Sequence, residues 1–257
     1  MQESNFSNNR DFLRQCATLA AIVGGFIVNV VSNVAPLNGM SIGAISNTLF
    51  KDVLVIPANY AFIIWGVIYL GLFAFGVYQF LPSQKQDPDL RKTGYLLVVA
   101  SIAQCIWVYL FLSRFFAVSI LAMLGILIPL IMIHQRLGIG EKRVSKNKKF
   151  CLHYPISIYL GWISVATIVN VACALYFINW NGFGISGEVW TVIMLLAAAG
   201  ISAVMVLNYQ DIAYTGVTVW ALVAIAVKHG DHSIIRNTAL GLAIVLMVII
   251  FMKGWRR

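Results

Sequence analysis

Three groups of side chains carry the chemistry available to this sequence. Trp65 and Tyr69 stand one helical turn apart, and Phe62 and Leu72 extend the same helix face. Ala100, Gln104, Trp107 and Phe111 repeat that pattern farther on. Pro155, Tyr159, Trp162, Ala166 and Asn170 then follow at steps of four, three, four and four. Each group sets a tryptophan beside polar groups inside a long apolar run. An indole N–H or a phenol O–H at membrane depth needs a partner, because hydrocarbon offers none. A small residue such as Ala166 between larger ones lets another body come close, either a partner helix or a flat ligand. The three stripes predict one internal pocket lined by Trp65, Tyr69, Gln104, Trp107, Tyr159, Trp162, Ala166 and Asn170. Packing of a large helical bundle is the alternative use of the same residues.

That chemistry is stacking and hydrogen bonding rather than catalysis. No carboxylate pair, Ser–His–Asp set or Cys–His pair is apparent, and His134 and His153 only flank a basic loop. No catalytic residue is assigned. Cys16, Cys105, Cys151 and Cys173 are scattered without a C-x-x-C pair, which supports neither a disulfide frame nor a zinc site. His229 and His232, on a Gly-containing turn, are a weak metal signal, and no metal is assigned.

The elements that position these residues are membrane helices. Of the 257 residues, 60% are apolar and 11% charged, and the mean hydropathy is +0.86. Soluble domains carry about 25% charged residues, so the chain reads as an integral membrane protein. Its charges cluster between neutral runs at 15–34, 53–81, 93–113, 115–135, 150–178, 189–210, 212–227 and 237–252. These predict an all-α, polytopic transmembrane bundle of about eight helices, the last two runs being short for a crossing of ~20 residues. Pro57 fits the first position of the second helix, where its missing N–H loses no bond. Residues 1–11 read as disordered or interfacial, and the loop at 35–56 as a lid or binding segment. The fourth span has no polar residue deep within it and reads as scaffold, kinked by Pro129. Small residues from Ala197 to Ala203 suit tight helix packing in the sixth span. Asp211 reads as a helix cap, and Lys253, Trp255, Arg256 and Arg257 as an interfacial anchor.

The net charge of +9 reports orientation. With eight spans and a cytoplasmic N-terminus, the outer segments hold only Lys51, Arg114, Lys228 and Arg236, and every other Lys and Arg falls on the inner side. This is the positive-inside bias. It predicts two cytoplasmic termini in a plasma, inner or other energy-converting membrane, with lipids rather than nucleic acid as the partner of the positive charge. The loop at 138–149 is the densest basic cluster and reads first as a topology anchor. The first six spans hold no Asp, Glu, Lys or Arg, which counts against an ion-coupled transporter.

The same residues resemble the tryptophan-rich sensory protein (TspO, translocator protein) family. Trp65-Gly-Val-Ile-Tyr69 is similar to that family's W-x-x-L/I-Y, and Trp107-Val-Tyr-Leu-Phe111 to its aromatic patch closing the third helix. Pro155, Trp162, Ala166 and Asn170 stand where the family's fifth helix carries P-Y-x-x-W followed by Ala and Asn. The resemblance covers about residues 12–180 and implies a five-helix core, with residues 181–257 as additional membrane helices packed on it. It departs at the tandem Trp-Pro-Pro segment, reduced here to Pro57 and Tyr60, and Phe62 lies three residues before Trp65 where the family's Phe usually lies four before. Pro155 and Trp162 are also farther apart than in the family pattern, and no sterol-type L/V-x-Y-x-K/R motif follows the fifth helix. What the resemblance implies is binding of a flat hydrophobic ligand, a porphyrin or other tetrapyrrole or a lipid-like molecule, for sensing, transport or stress response. Degradation of a bound porphyrin has been associated with the family's tryptophans, which leaves enzymatic activity open. A homo-oligomer or a larger membrane complex, with this chain as accessory subunit, is the remaining expectation.

Overall fold

The computed structural model describes residues 2–255, and among them every regular element is helical. In chain order these are α1 (Gln2–Val34), α2 (Ile42–Thr48), α3 (Ile64–Tyr78), α4 (Pro88–Thr93), α5 (Leu96–Leu112) and α6 (Phe116–Leu137). A single turn, α7 (Lys146–Lys148), leads through a π-turn into α8 (Tyr154–Phe177), followed by α9 (Gly187–Asn208), α10 (Ile212–Lys228) and α11 (Ser233–Trp255). Six spans are long and apolar enough to cross a membrane, and α5 and α10 are shorter apolar helices of 17 residues each. At 1.5 Å per residue, 17 residues reach about 25 Å, the low end of a hydrocarbon crossing.

Several local expectations are corrected. Residues 2–11 continue α1 as helix, which overturns the disordered reading of this segment and leaves the interfacial one, with Asp11 bonded to Arg91 and Arg14 to the Leu90 carbonyl at 2.8 Å. The last helix is not short. It starts before Arg236, whose guanidinium reaches the Gly230 carbonyl, and it runs past Lys253. Pro57 does not open an α-helix, because Ala58 is extended and donates its N–H to Ala224; a 3-10 turn at Asn59–Ile63 comes first. In α9 the buried face is Thr191, Leu195, Ala199, Ser202 and Val206, while Ala197 and Gly200 face outward. Part of the anchor expected at Trp255, Arg256 and Arg257 lies outside the described residues and side chains.

The segment at 35–56 is folded. Ser41 caps α2 by accepting from Ala44 N–H. Phe50 is fully buried, 4.7 Å from the Phe116 ring and 6.3 Å from Phe111. Ile45, Val53, Val55 and Ile56 are buried with it, so this segment is a cap with its own apolar face rather than an irregular lid.

Close helix packing passes through glycine. A Cβ on Gly161 would stand 3.0 Å from the Tyr214 carbonyl oxygen, so α8 and α10 touch backbone to backbone. Gly71 of α3 lies likewise against Pro155 at the start of α8. The basic segments gather at one end of the bundle. Lys148 meets Asp87 at 2.8 Å, Arg136 meets the Lys92 carbonyl, His134 meets Asp211 at 2.9 Å and Lys253 meets the Leu207 carbonyl. The opposite end holds the contacts of Asn38 with Leu112, Tyr176 with Asp52 and His229 with Ile56.

Candidate ligand-binding site

The three stripes meet between α3, α5 and α8. A cavity of about 60 Å³ is lined there by Trp65, Trp107, Trp162, Ala166 and Asn170, together with Phe62, Phe111, Met123, Ile126, Val169 and Cys173. Ile42 and Ser46 of α2, with Ile56 and Pro57, close it on the cap side. Helical periodicity places these residues. Trp65 projects from the first turn of α3, and Trp162, Ala166 and Asn170 stack along one edge of α8. The Phe62 ring meets Trp162 edge-on at 5.9 Å, and Trp107 lies against Phe111 at 5.1 Å. Trp65 spans two environments, stacking on Tyr69 at 5.9 Å and meeting Tyr159 edge-on at the same distance.

Tyr69, Gln104 and Tyr159 are placed differently. They do not line the cavity but form a buried chain beside it. Tyr159 O–H donates to Gln104 Oε1 and Gln104 Nε2 donates to Tyr69 Oη, each at 2.6 Å. One residue from each of three helices satisfies the others, as polar groups in hydrocarbon require. Asn170 is also engaged. Its Oδ1 accepts from Trp107 Nε1 at 2.9 Å, and its amide shares a 3.1 Å bond with Ser119 Oγ.

Ser119 adds a polar contact to the fourth span, which reads as scaffold from its deeper residues. It lies one turn into α6, fully buried, and completes the Trp107–Asn170 pair. The signal was present as the one hydroxyl near the start of an otherwise apolar run. At the other end of α6, His134 pairs with Asp211 while both are buried. Asp211 also accepts from Tyr214 N–H, the capping role expected of it. His229 Nε2 donates to the Ile56 carbonyl at 3.1 Å, so one of its two ring nitrogens serves the fold.

The cavity wall is therefore apolar and aromatic, and its deepest polar groups are already paired. Among the described residues, the indole N–H groups of Trp107, Trp190 and Trp220 are donated to protein oxygens. Those of Trp65 and Trp162 have no such acceptor, and both rings face the cavity.

These features define the chain as a polytopic helical membrane protein with an aromatic internal cavity capped at one end. A family model described as TSPO-like protein matches residues 15–252, and the chain belongs to that family. No curated protein and no solved structure matches it significantly. The family match runs beyond residue 180 through the last three helices. Contacts reach the same way, with Trp220 of α10 donating to the Ala61 carbonyl beside the site.

Proposed function

We propose that the protein binds a flat lipophilic ligand between Trp65, Trp107 and Trp162, beneath the α2 cap. The observation that carries this reading is the meeting of three tryptophans from α3, α5 and α8 on one cavity, two of them with unpaired indole N–H groups. Aromatic walls supply stacking, worth roughly 0.5–1.5 kcal/mol per pair beyond area burial, and the two N–H groups give a polar edge its orientation. Drug-sized ligand pockets run to about 300–1,000 Å³. A cavity of about 60 Å³ holds a macrocycle only after the cap and the Phe62 turn move outward. A porphyrin, the ligand the family resemblance implies, therefore binds with rearrangement, whereas an indole-sized ligand needs much less. Sensing or transport is the use the family implies for such binding.

A second reading, that the stripes only pack helices or hold a partner subunit, draws on the internal pairing of Tyr69, Gln104, Tyr159 and Asn170. The test is quenching of tryptophan fluorescence by protoporphyrin IX and by a single-ring aromatic in the purified protein. Saturable quenching lost in Trp65→Ala and Trp162→Ala supports the binding reading. Quenching unaffected by those substitutions leaves packing as their role.

A further inference from the structure

A second cavity opens at the opposite, basic end of the bundle. It is larger, about 810 Å³, and lies between the 139–144 loop, the start of α8 and the link from α9 to α10. Its outer wall carries Lys142, Arg143 and Lys149, and no carboxylate forms a salt bridge with any of the three among the described residues. Lys149 is held over the Tyr154 ring at 5.4 Å, and the Lys142 stem lies across Gly138.

The inner wall holds His153 and Ser157, 4% and 1% exposed. His153 Nε2 and Ser157 Oγ are buried, and neither has a hydrogen-bond partner. A protein that satisfies the Tyr69–Gln104–Tyr159 and Trp107–Asn170–Ser119 sets so fully leaves two buried polar atoms, on residues four apart in sequence, without partners at this wall. Buried polar atoms without partners are rare and ask for one. Asp211 also lines the cavity, but its two oxygens are engaged by Tyr214 N–H and His134 Nε2. Glu141 is the one acid of the loop, against three cations that line the same cavity.

The loop that carries the cations is held in place. Gly140 has φ +87°, and a Cβ there would fall 1.5 Å from the Tyr209 carbonyl oxygen, so only glycine lets the loop seat on the end of α9. A preset basic wall in the same cavity as two unpartnered buried hydrogen-bonding atoms matches a group with several anionic oxygens.

We propose that this vestibule binds a phosphate ester, its charge met by Lys142, Arg143 and Lys149 and its inner oxygens by His153 Nε2–H and Ser157 O–H. The same chemistry is offered by a soluble phosphate monoester and by the headgroup of an anionic phospholipid. The site is independent of the tryptophan cavity and of the ligand proposed for it.

The test uses the full-length protein in phosphatidylcholine nanodiscs, titrated calorimetrically with glycerol 3-phosphate. In parallel, melting is compared in discs with and without phosphatidylglycerol. Saturable heat with glycerol 3-phosphate assigns a soluble ligand. A phosphatidylglycerol-dependent rise in melting temperature, with no such heat, assigns the lipid. In either case Lys142→Ala/Arg143→Ala lowers affinity on the order of tenfold or more. Ser157→Ala lowers affinity severalfold while the ligand-free melting temperature holds or rises, since an unpaired hydroxyl is removed. Absence of both effects, or effects that Ser157→Ala and His153→Phe leave unchanged while both variants stay folded, overturns the proposal in favour of a simple charged surface.

Discussion

Trp107 Nε1 donates to Asn170 Oδ1 across 2.9 Å, joining α5 to α8 at membrane depth, and Ser119 of α6 closes the group from the third side. Removing Asn170 orphans the Trp107 indole N–H, while Ser119 Oγ keeps its bond to the Phe116 carbonyl. Asn170→Ala is expected to cost about 1–3 kcal/mol, the penalty for buried polar groups left unsatisfied. Trp107→Phe, which deletes one donor and keeps an aromatic ring, should cost less. Denaturant unfolding in mild detergent checks both, and wild-type stability in Asn170→Ala would remove this bond from any account of the fold.

The Tyr69–Gln104–Tyr159 chain makes a sharper energetic statement. Gln104→Leu leaves two phenol groups unpaired and should destabilise more than Tyr159→Phe, which leaves one oxygen of Gln104 without a donor. Replacing all three by Phe, Leu and Phe should recover part of the loss, because no buried polar group is then unmet. A triple variant less stable than Gln104→Leu alone would contradict this.

For the ligand cavity, Trp65→Ala and Trp162→Ala are expected to weaken porphyrin binding about tenfold, or roughly 1.4 kcal/mol. Trp220 is not a neutral control, because its N–H holds the Ala61 carbonyl at the turn leading into α3. Trp180, which packs on Trp190 and Phe183 away from the cavity, serves instead. Equal loss in Trp180→Phe and Trp162→Ala would count against a localised site.

His229 supplies part of the pH dependence. Burial pushes its imidazole below the ordinary 6.5, and Lys228 and His232 push the same way, while the bond to the Ile56 carbonyl partly opposes them. The folded protein thus binds fewer protons than the unfolded chain between that lowered value and 6.5. The stabilisation is complete above pH 6.5 and is lost as pH falls through the lowered value. Melting temperature should therefore drop on acidification from pH 7 to 5, and drop less in His229→Gln, which keeps an N–H donor. An identical slope in both proteins would show that another group titrates.

Orientation is tested by labelling in a cysteine-free background. A cysteine at Asn147 in the basic loop should resist impermeant reagent in intact cells, whereas one at Asn47 in the α2 cap should react. Both sites are exposed, so protection reports the membrane rather than burial. The reverse pattern would invert the topology.

The residue order alone determined the number and type of the apolar helices and which side chains share a face. Trp162, Ala166 and Asn170 were legible as one stripe because a 3.6-residue period leaves no other arrangement on a helix. Trp65 and Trp107 were legible for the same reason. Periodicity does not say which neighbour a face meets, nor at what height. That was decided by contacts such as Gly71 on Pro155 and Gly161 on Tyr214, which set how far α3, α8 and α10 slide and turn against one another. Those offsets turned Tyr69, Gln104 and Tyr159 toward each other instead of toward the cavity, and brought Ser119 to Asn170 and His134 to Asp211. They also folded residues 35–56 into a cap, because Phe50 finds its pocket only once Phe111 and Phe116 are assembled. The partners in these bonds and ring contacts lie 35 to 77 residues apart. A hydrogen bond at that separation exists only after packing has set the distance, so the tertiary structure alone could reveal it.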